Sequence, residues 1–341
     1  MKTKEKQLTT VTHRLTQLKP AKYKSIRLEA IAVQWLKNTK LRVKESSYVK
    51  YHNMIHNHII PDLGAWKMEQ LTTEVVELFV QKKLERGRKN GKSGLSEKTV
   101  KDLLTILKEI CLYAVYFDME VPCHFELVRI RHSDPRVKVL DRQNCMELVE
   151  FLLQDNSLKK TGILFSLYMG LRLGEVCALK RQHILYKEGI LCIRNTMQRI
   201  QNLNGEGKKT KIIITEPKSP HSVRDIPIPA LLMERLEKLK ELPEDAYLLT
   251  GSRERFIEPR TLENILKGYL QKCNIERMNF HVLRHTFATR YIEEGFDAKS
   301  LSEILGHADV SITLNRYVHS SMEQKRENMD KILLYSPELI S

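Results

Sequence analysis

The chain has 341 residues, enough for two domains of ordinary size, and 42% of them are hydrophobic, a globular content. Lys and Arg number 57 against 42 Asp and Glu, and the net charge of +15 favours a polyanionic partner, either nucleic acid or an acidic membrane surface. No apolar run reaches the roughly 18 residues of a membrane span, and the opening Met1-Lys2-Thr3-Lys4-Glu5-Lys6 lacks the apolar stretch of a secretory signal. The cysteines (Cys111, Cys123, Cys145, Cys177, Cys192, Cys273) form no CxxC pair. They fit reduced core thiols of a cytoplasmic protein better than a disulfide framework.

Residues 1–25 carry seven cations against Glu5 and are expected as a basic N-terminal arm. Helical patterns follow at Ile26–Asn38 and Glu45–Ile60, the second stopping at Pro61. Thr72 is a candidate N-cap for a helix to Arg86, and Ser96 for a long one. In the latter Val100, Leu103, Leu104, Leu107, Ile110, Cys111 and Ala114 keep a 3.6-residue period. These patterns predict an all-helical domain over 26–120, and the proline-containing stretch 121–139 reads as a linker. A second domain is expected over 140–341. It opens with helices at Arg142–Gln154 and Thr161–Leu171, passes through strands at Gly189–Arg194, Lys211–Thr215 and Val223–Ile228, and is helical again from Ala230. The expected class is mostly α with a small antiparallel β-sheet.

Several charged residues sit where backbone geometry singles them out. Arg172 and Glu175 lie at a helix boundary, three residues apart. Lys218 falls between two predicted strands, in what is expected to be a hairpin turn. His281, Arg284 and His285 are spaced i, i+3 and i+4, so they share one helical face. His281 and His285 have the spacing of a zinc pair, but a zinc protease requires Glu after the first His and the chain has Val282, so no metal site is expected. Gly306 is suited to a helix C-terminus, His307 follows it, Ser311 is a candidate cap for the next helix, and that helix carries Tyr317. Taken singly, each is a surface ion pair, an exposed turn lysine or a core tyrosine.

The ordered set R-x-x-E, turn Lys, H-x-x-R-H, G-H and Y across Arg172–Tyr317 resembles the tyrosine recombinase/integrase family. The stretch from Tyr51 through Ile59-Ile60-Pro61 to Leu63-Gly64 resembles that family's helical core-site-binding domain. The resemblance implies a site-specific DNA recombinase. Its catalytic residues would be Arg172, Lys218, His281, Arg284 and His307 around the scissile phosphate, with Tyr317 as nucleophile. A phosphodiester repels nucleophiles and gathers charge in its transition state, and two planar guanidiniums can hold its oxygens bidentately. The phenol, with an ordinary pKa of about 10, needs a proton acceptor, for which His281 is the candidate. Lys218 is the suggested general acid for the departing 5′ oxygen. Glu175 would orient Arg172 or a neighbouring His, and His285 would serve in support. The phosphotyrosine keeps the bond energy, so no cofactor, ATP or metal is expected.

The implied partners are double-stranded DNA core sites, a homotetramer on two sites, and accessory bending or directionality factors. Larger integrases of the family carry an extra arm-site domain, for which about 25 residues are too few, so recognition of core sites alone is expected. A type IB topoisomerase shares the chemistry but does not exchange partners. The tail after Tyr317, with Ile332, Leu333, Leu334 and Tyr335 available to dock on a neighbouring subunit, favours recombination. A non-cleaving regulator remains an alternative, against which every expected catalytic position is filled.

Overall fold

The computed structural model describes residues 26–88, 93–131, 137–204, 207–217, 219–318, 322, 326, 329 and 330. The expectations for the arm at 1–25, for Lys218, and for the apolar tail residues Ile332, Leu333, Leu334 and Tyr335 fall outside these residues. The chain divides into two compact units, Met1–Pro135 and Arg136–Ser341. The class is mostly helical with small antiparallel sheets.

Among the described residues the elements of the first unit are helical: α1 (Leu28–Thr39), α2 (Glu45–Met54), a π-helical turn (Ile55–Ile59), α3 (Ile60–Leu63), α4 (Thr73–Arg86) and α5 (Glu97–Val115). The caps follow the sequence. Thr72 Oγ1 accepts from Val75 N at 3.3 Å, and Ser96 Oγ from Thr99 N at 3.3 Å. Pro61 does not end its helix. It sits in the first turn of α3, just past the π turn. Leu28, Ile55, Ile59, Leu71, Leu103, Leu107 and Ile110 make the core. Met119 and Val128 are buried in it and Cys123, Phe125 and Ile130 pack on it, so the stretch assigned to a linker from 121 stays with this core as far as Ile130. Pro122 breaks any helical period there, which hid the packing from sequence patterning.

In the second unit, α6 (Arg142–Leu153) and α7 (Leu158–Met169) precede the short α8 (Leu173–Ala178). The strands form two sheets rather than one. β1 (Ile184–Leu185), β2 (Ile190–Ile193) and β5 (Arg224–Pro227) pair antiparallel in the order β1-β2-β5, whereas β3 (Thr196–Gln201) and β4 (Thr210–Thr215) pair only with each other. Because β4 and β5 belong to different sheets, the segment between them is a connection and not the hairpin turn expected around Lys218. Then come α9 (Ala230–Glu237), α10 (Pro259–Lys272), α11 (His281–Glu293), α12 (Ala298–Leu305) and α13 (Val310–Tyr317). The core gathers α7, α10 and α11 with the three-stranded sheet through Phe165, Leu266, Leu283, Leu191 and Ile226.

Candidate active site

Arg172 is the N-cap residue of α8, in extended conformation just after Gly170. Gly170 closes α7 in the left-handed region at φ 66°, and a Cβ there would lie 2.7 Å from both Leu305 and Phe287, so only glycine fits both demands. The Arg172 guanidinium donates from Nη1 to Glu175 Oε1 at 2.8 Å and from Nη2 to the Gly306 carbonyl at 3.2 Å. Its side chain keeps 31% of its surface open, whereas Glu175 is 2% exposed. Among the described residues Glu175 hydrogen-bonds Arg172 and Arg224 and no histidine. Burial pushes its pKa up, but Arg224 and Arg172 outweigh burial and hold it near about 2.

Arg284 lies on the buried side of α11 and is 4% exposed. Nη1 donates to the Gly170 carbonyl and Nη2 to the Leu305 carbonyl, both at 2.7 Å, and His307 Nε2 stands 3.1 Å from Nη2. Burial, and after it Arg172, lowers the guanidinium pKa to about 9, which leaves it charged at neutral pH. His307 follows Gly306, the left-handed C-cap of α12 at φ 64°, and its Nδ1 pairs with the buried Thr313 hydroxyl at 2.8 Å. Burial and then Arg284 lower the His307 pKa to about 4, so the ring is neutral. A neutral ring with its proton on Nδ1 donates to Thr313 and accepts from Arg284.

Tyr317 is the last residue of α13, buried against Ala288, Leu301 and Leu305. Its phenol is 2.7 Å from Nδ1 of His285, the residue after Arg284. Burial raises the Tyr317 pKa against the pull of Arg284, Arg316 and Arg172, so the phenol is protonated at neutral pH. Burial and then Arg316 lower His285 to about 4, leaving a neutral ring able to accept that proton. His281 lies one turn earlier on α11, exposed, with its ring centroid 6.3 Å from that of His285. Desolvation by the surrounding protein, followed by Arg284 and Arg172, lowers its pKa.

Arg172, Glu175, Arg284, His307, His285 and Tyr317 are thus linked through the Leu305–His307 turn and α11. Lys218 falls outside the described residues. The cap of α13 is Asp309, whose Oδ1 accepts from Ser311 N at 2.8 Å, and not Ser311 as expected. Sequence reading missed Thr313 and Arg224. The second had a signal: in β5 the buried positions alternate, and Arg224 shares the inward face with Ile226. A charge on an inward strand face demands a buried partner.

The model of the phage integrase family matches residues 138–324, more than half of the chain. The chain belongs to the phage integrase family, that of the tyrosine recombinases. A second match, to the N-terminal SAM-like domain of phage integrases, covers residues 28–84 of the first unit. Among relatives of this tyrosine recombinase, a XerC-like tyrosine recombinase of Caldanaerobacter subterraneus subsp. tengcongensis is 27% identical over 91% of this chain and 83% of its own length. The ICEBs1 integrase of Bacillus subtilis is 23% identical over 91% and 84%. In fold, the Tn1549 transposon integrase in complex with circular intermediate DNA is similar at a TM-score of 0.72. It is 19% identical and covers 90% of this chain and 100% of that one. Among the described residues no helix is long and apolar enough to cross a membrane, and no cluster of three His, Cys, Asp or Glu could hold a metal ion.

Proposed function

We propose that this chain is a site-specific DNA recombinase that cuts and rejoins double-stranded DNA through a covalent 3′-phosphotyrosyl link to Tyr317, using neither metal nor ATP. The supporting observation is the convergence of Arg172, Arg284 and His307 on one turn, with the Tyr317 phenol 2.7 Å from the residue beside Arg284. Curated relatives aligned over most of the chain are named a recombinase and an integrase, which favours strand exchange over relaxation of supercoils.

Each residue acquires a role from its chemistry. Arg172 and Arg284 bind the non-bridging oxygens and stabilise the charge they gain. The Tyr317 oxygen attacks phosphorus, the bond from phosphorus to the 5′ oxygen breaks, and the phenolic proton leaves for His285. His285 thereby takes the part that sequence reading gave to His281, because it is the ring in contact with the phenol. His281, exposed at the start of α11, is assigned to the phosphate backbone. Lys218 delivers a proton to the departing 5′ oxygen. A phosphate beside His307 favours the protonated ring, which donates from Nε2. The return attack by a 5′ hydroxyl of the partner strand releases the phenol and reseals the DNA, so bond energy is conserved. Strand exchange needs four cuts and each chain has one Tyr317, which implies four copies on two DNA sites. A λ integrase tetramer on a Holliday junction, similar at a TM-score of 0.61, supplies the precedent. We place the activity on DNA in the cytoplasm.

The test starts from nicked duplexes tiling the DNA that flanks the chain's own coding sequence. One of them is expected to be trapped as an adduct that survives denaturing electrophoresis, in excess EDTA and without ATP, and to form four-protein complexes when two sites are present. Loss of the adduct in EDTA with recovery in zinc or magnesium would restore a metal-dependent reading.

A further inference from the structure

Arg224 belongs to no motif singled out in the sequence, yet it is 8% exposed and heavily bonded. Its Nη1 donates to Glu175 Oε1 at 3.0 Å and Nη2 to Glu175 Oε2 at 2.9 Å, a bidentate fork. Nη1 also reaches the Ser222 carbonyl at 3.1 Å, and Nε donates to the Ile304 carbonyl. The same two Glu175 oxygens hold Arg172, Oε1 through Nη1 at 2.8 Å and Oε2 through the backbone N–H at 2.9 Å. The carboxylate that aims Arg172 is therefore itself aimed by Arg224.

Two further contacts fix other parts of the site. Ile304 is in the last turn of α12, which delivers Gly306 and His307. A Cβ on Gly306 would lie 3.0 Å from Arg224 Cδ and 3.1 Å from Ser222 Cα, so this turn is seated directly on Arg224 and its neighbours. Ser222 closes the connection that carries Lys218 in sequence, and its hydroxyl reaches the Gly306 carbonyl at 3.4 Å. One guanidinium thus contacts Glu175, the Ser222 carbonyl and the last turn of α12.

We infer that Arg224 is a positioning residue for phosphoryl transfer. It sets Arg172 through Glu175 and does not itself touch DNA. This rests on the recombinase reading above. The plainer role is charge balance: Arg224 neutralises a buried carboxylate and contributes to stability alone. The two roles differ in what the rate does at saturating DNA. A displacement of about 1 Å in a catalytic group costs about 100-fold in rate, whereas charge balance leaves the rate of the folded protein unchanged.

The test uses full-length protein and the nicked half-site trapped above. R224A, R172A and the double variant are compared in single-turnover cleavage at saturating DNA, with folding checked by circular dichroism. R224A is expected to be about 100-fold slower, and the double variant is expected to be no more than about 3-fold slower than R172A, because both changes remove the same aim. Free guanidinium at millimolar concentration should recover part of the R224A rate, and urea should not. R224K keeps the charge but not the fork; it is expected to remain at least about 10-fold slow, and it carries the same cycle if R224A does not fold. An unimpaired rate in folded R224A or R224K, or additive losses in the double variant, would overturn the inference while leaving the recombinase reading intact. Failure of the wild-type chain to form any adduct would overturn both.

Discussion

The two halves of the candidate site are held by different means. Around the Leu305–His307 turn, Arg172 and Arg224 share Glu175, and Arg172, Arg224 and Arg284 bond the carbonyls of Gly170, Ser222, Ile304, Leu305 and Gly306, so several contacts hold every guanidinium. At the other half, Tyr317 ends the short helix α13, and among the described residues its hydroxyl is hydrogen-bonded to one side chain, that of His285. The arginine half resembles a preassembled mould for a phosphate, in which donors need no rearrangement when charge develops. The tyrosine half has fewer bonds to break, which suits a nucleophile that must move from its own phenol contact onto phosphorus. Preorganisation is concentrated where charge is stabilised and mobility is left where a bond is made.

The largest expected effect is on the mould. Arg172→Ala or Arg284→Ala should slow single-turnover cleavage of the trapped half-site by about 1,000-fold, the scale of a lost preorganised donor. Half-site affinity, measured by fluorescence anisotropy, should fall by less than about 10-fold, because the chain carries a +15 surplus for other phosphate contacts. Equal losses of affinity and rate would make these arginines binding groups and erase the contrast between the halves.

Next comes the proton acceptor. His285→Ala should slow cleavage by about 100-fold, in the range of a lost general base, and His281→Ala by about 10-fold or less, as for one phosphate contact. The reverse ranking would mean that the phenol leaves His285 on DNA and that His281 accepts its proton, as the family resemblance implied.

The smallest effect concerns pH and stability. His285 and His307 have folded pKa values near about 4, below the ordinary 6.5, so the unfolded chain binds more protons than the folded one between those values. Their contribution to stability is therefore full above pH 6.5 and is lost as pH falls towards 4. Urea unfolding should show a midpoint that declines over this window in the wild type and declines less in H285Q/H307Q. A window centred near the ordinary histidine value in NMR titrations of the free protein would show that the rings are not buried as described.

The candidate residues were legible in sequence through an ordered motif set that resembles the family, and part of that set has a local spacing with a plain structural counterpart. The i, i+3, i+4 set His281, Arg284, His285 defines a helix face without knowledge of what packs there, and Gly306 marks its turn by a backbone need that few residues meet. What failed to show depends on tertiary contact. Which of two histidines meets Tyr317 is decided by how α13 lies on α11, and sequence spacing treats both alike. Arg224 reads as one more cation in a basic chain until its inward strand face is paired with Glu175, 49 positions earlier. The hairpin expected at Lys218 failed because β3 and β4 close on each other and leave β5 to β2. Asp309 and Ser311 both suit an N-cap, and propensity alone does not choose between two cap formers two residues apart.

The central claim is that Tyr317 becomes covalently joined to DNA, and the most direct measurement is mass spectrometry of the trapped adduct after digestion with trypsin and nuclease. Cleavage after Arg316 releases a peptide that begins at Tyr317. The account predicts that this peptide carries the mass of a 3′-linked nucleotide on the Tyr317 side chain, and that Tyr317→Phe yields no adduct while binding the half-site as the wild type does. A nucleotide on any other residue, or an adduct that persists in Tyr317→Phe, would contradict it.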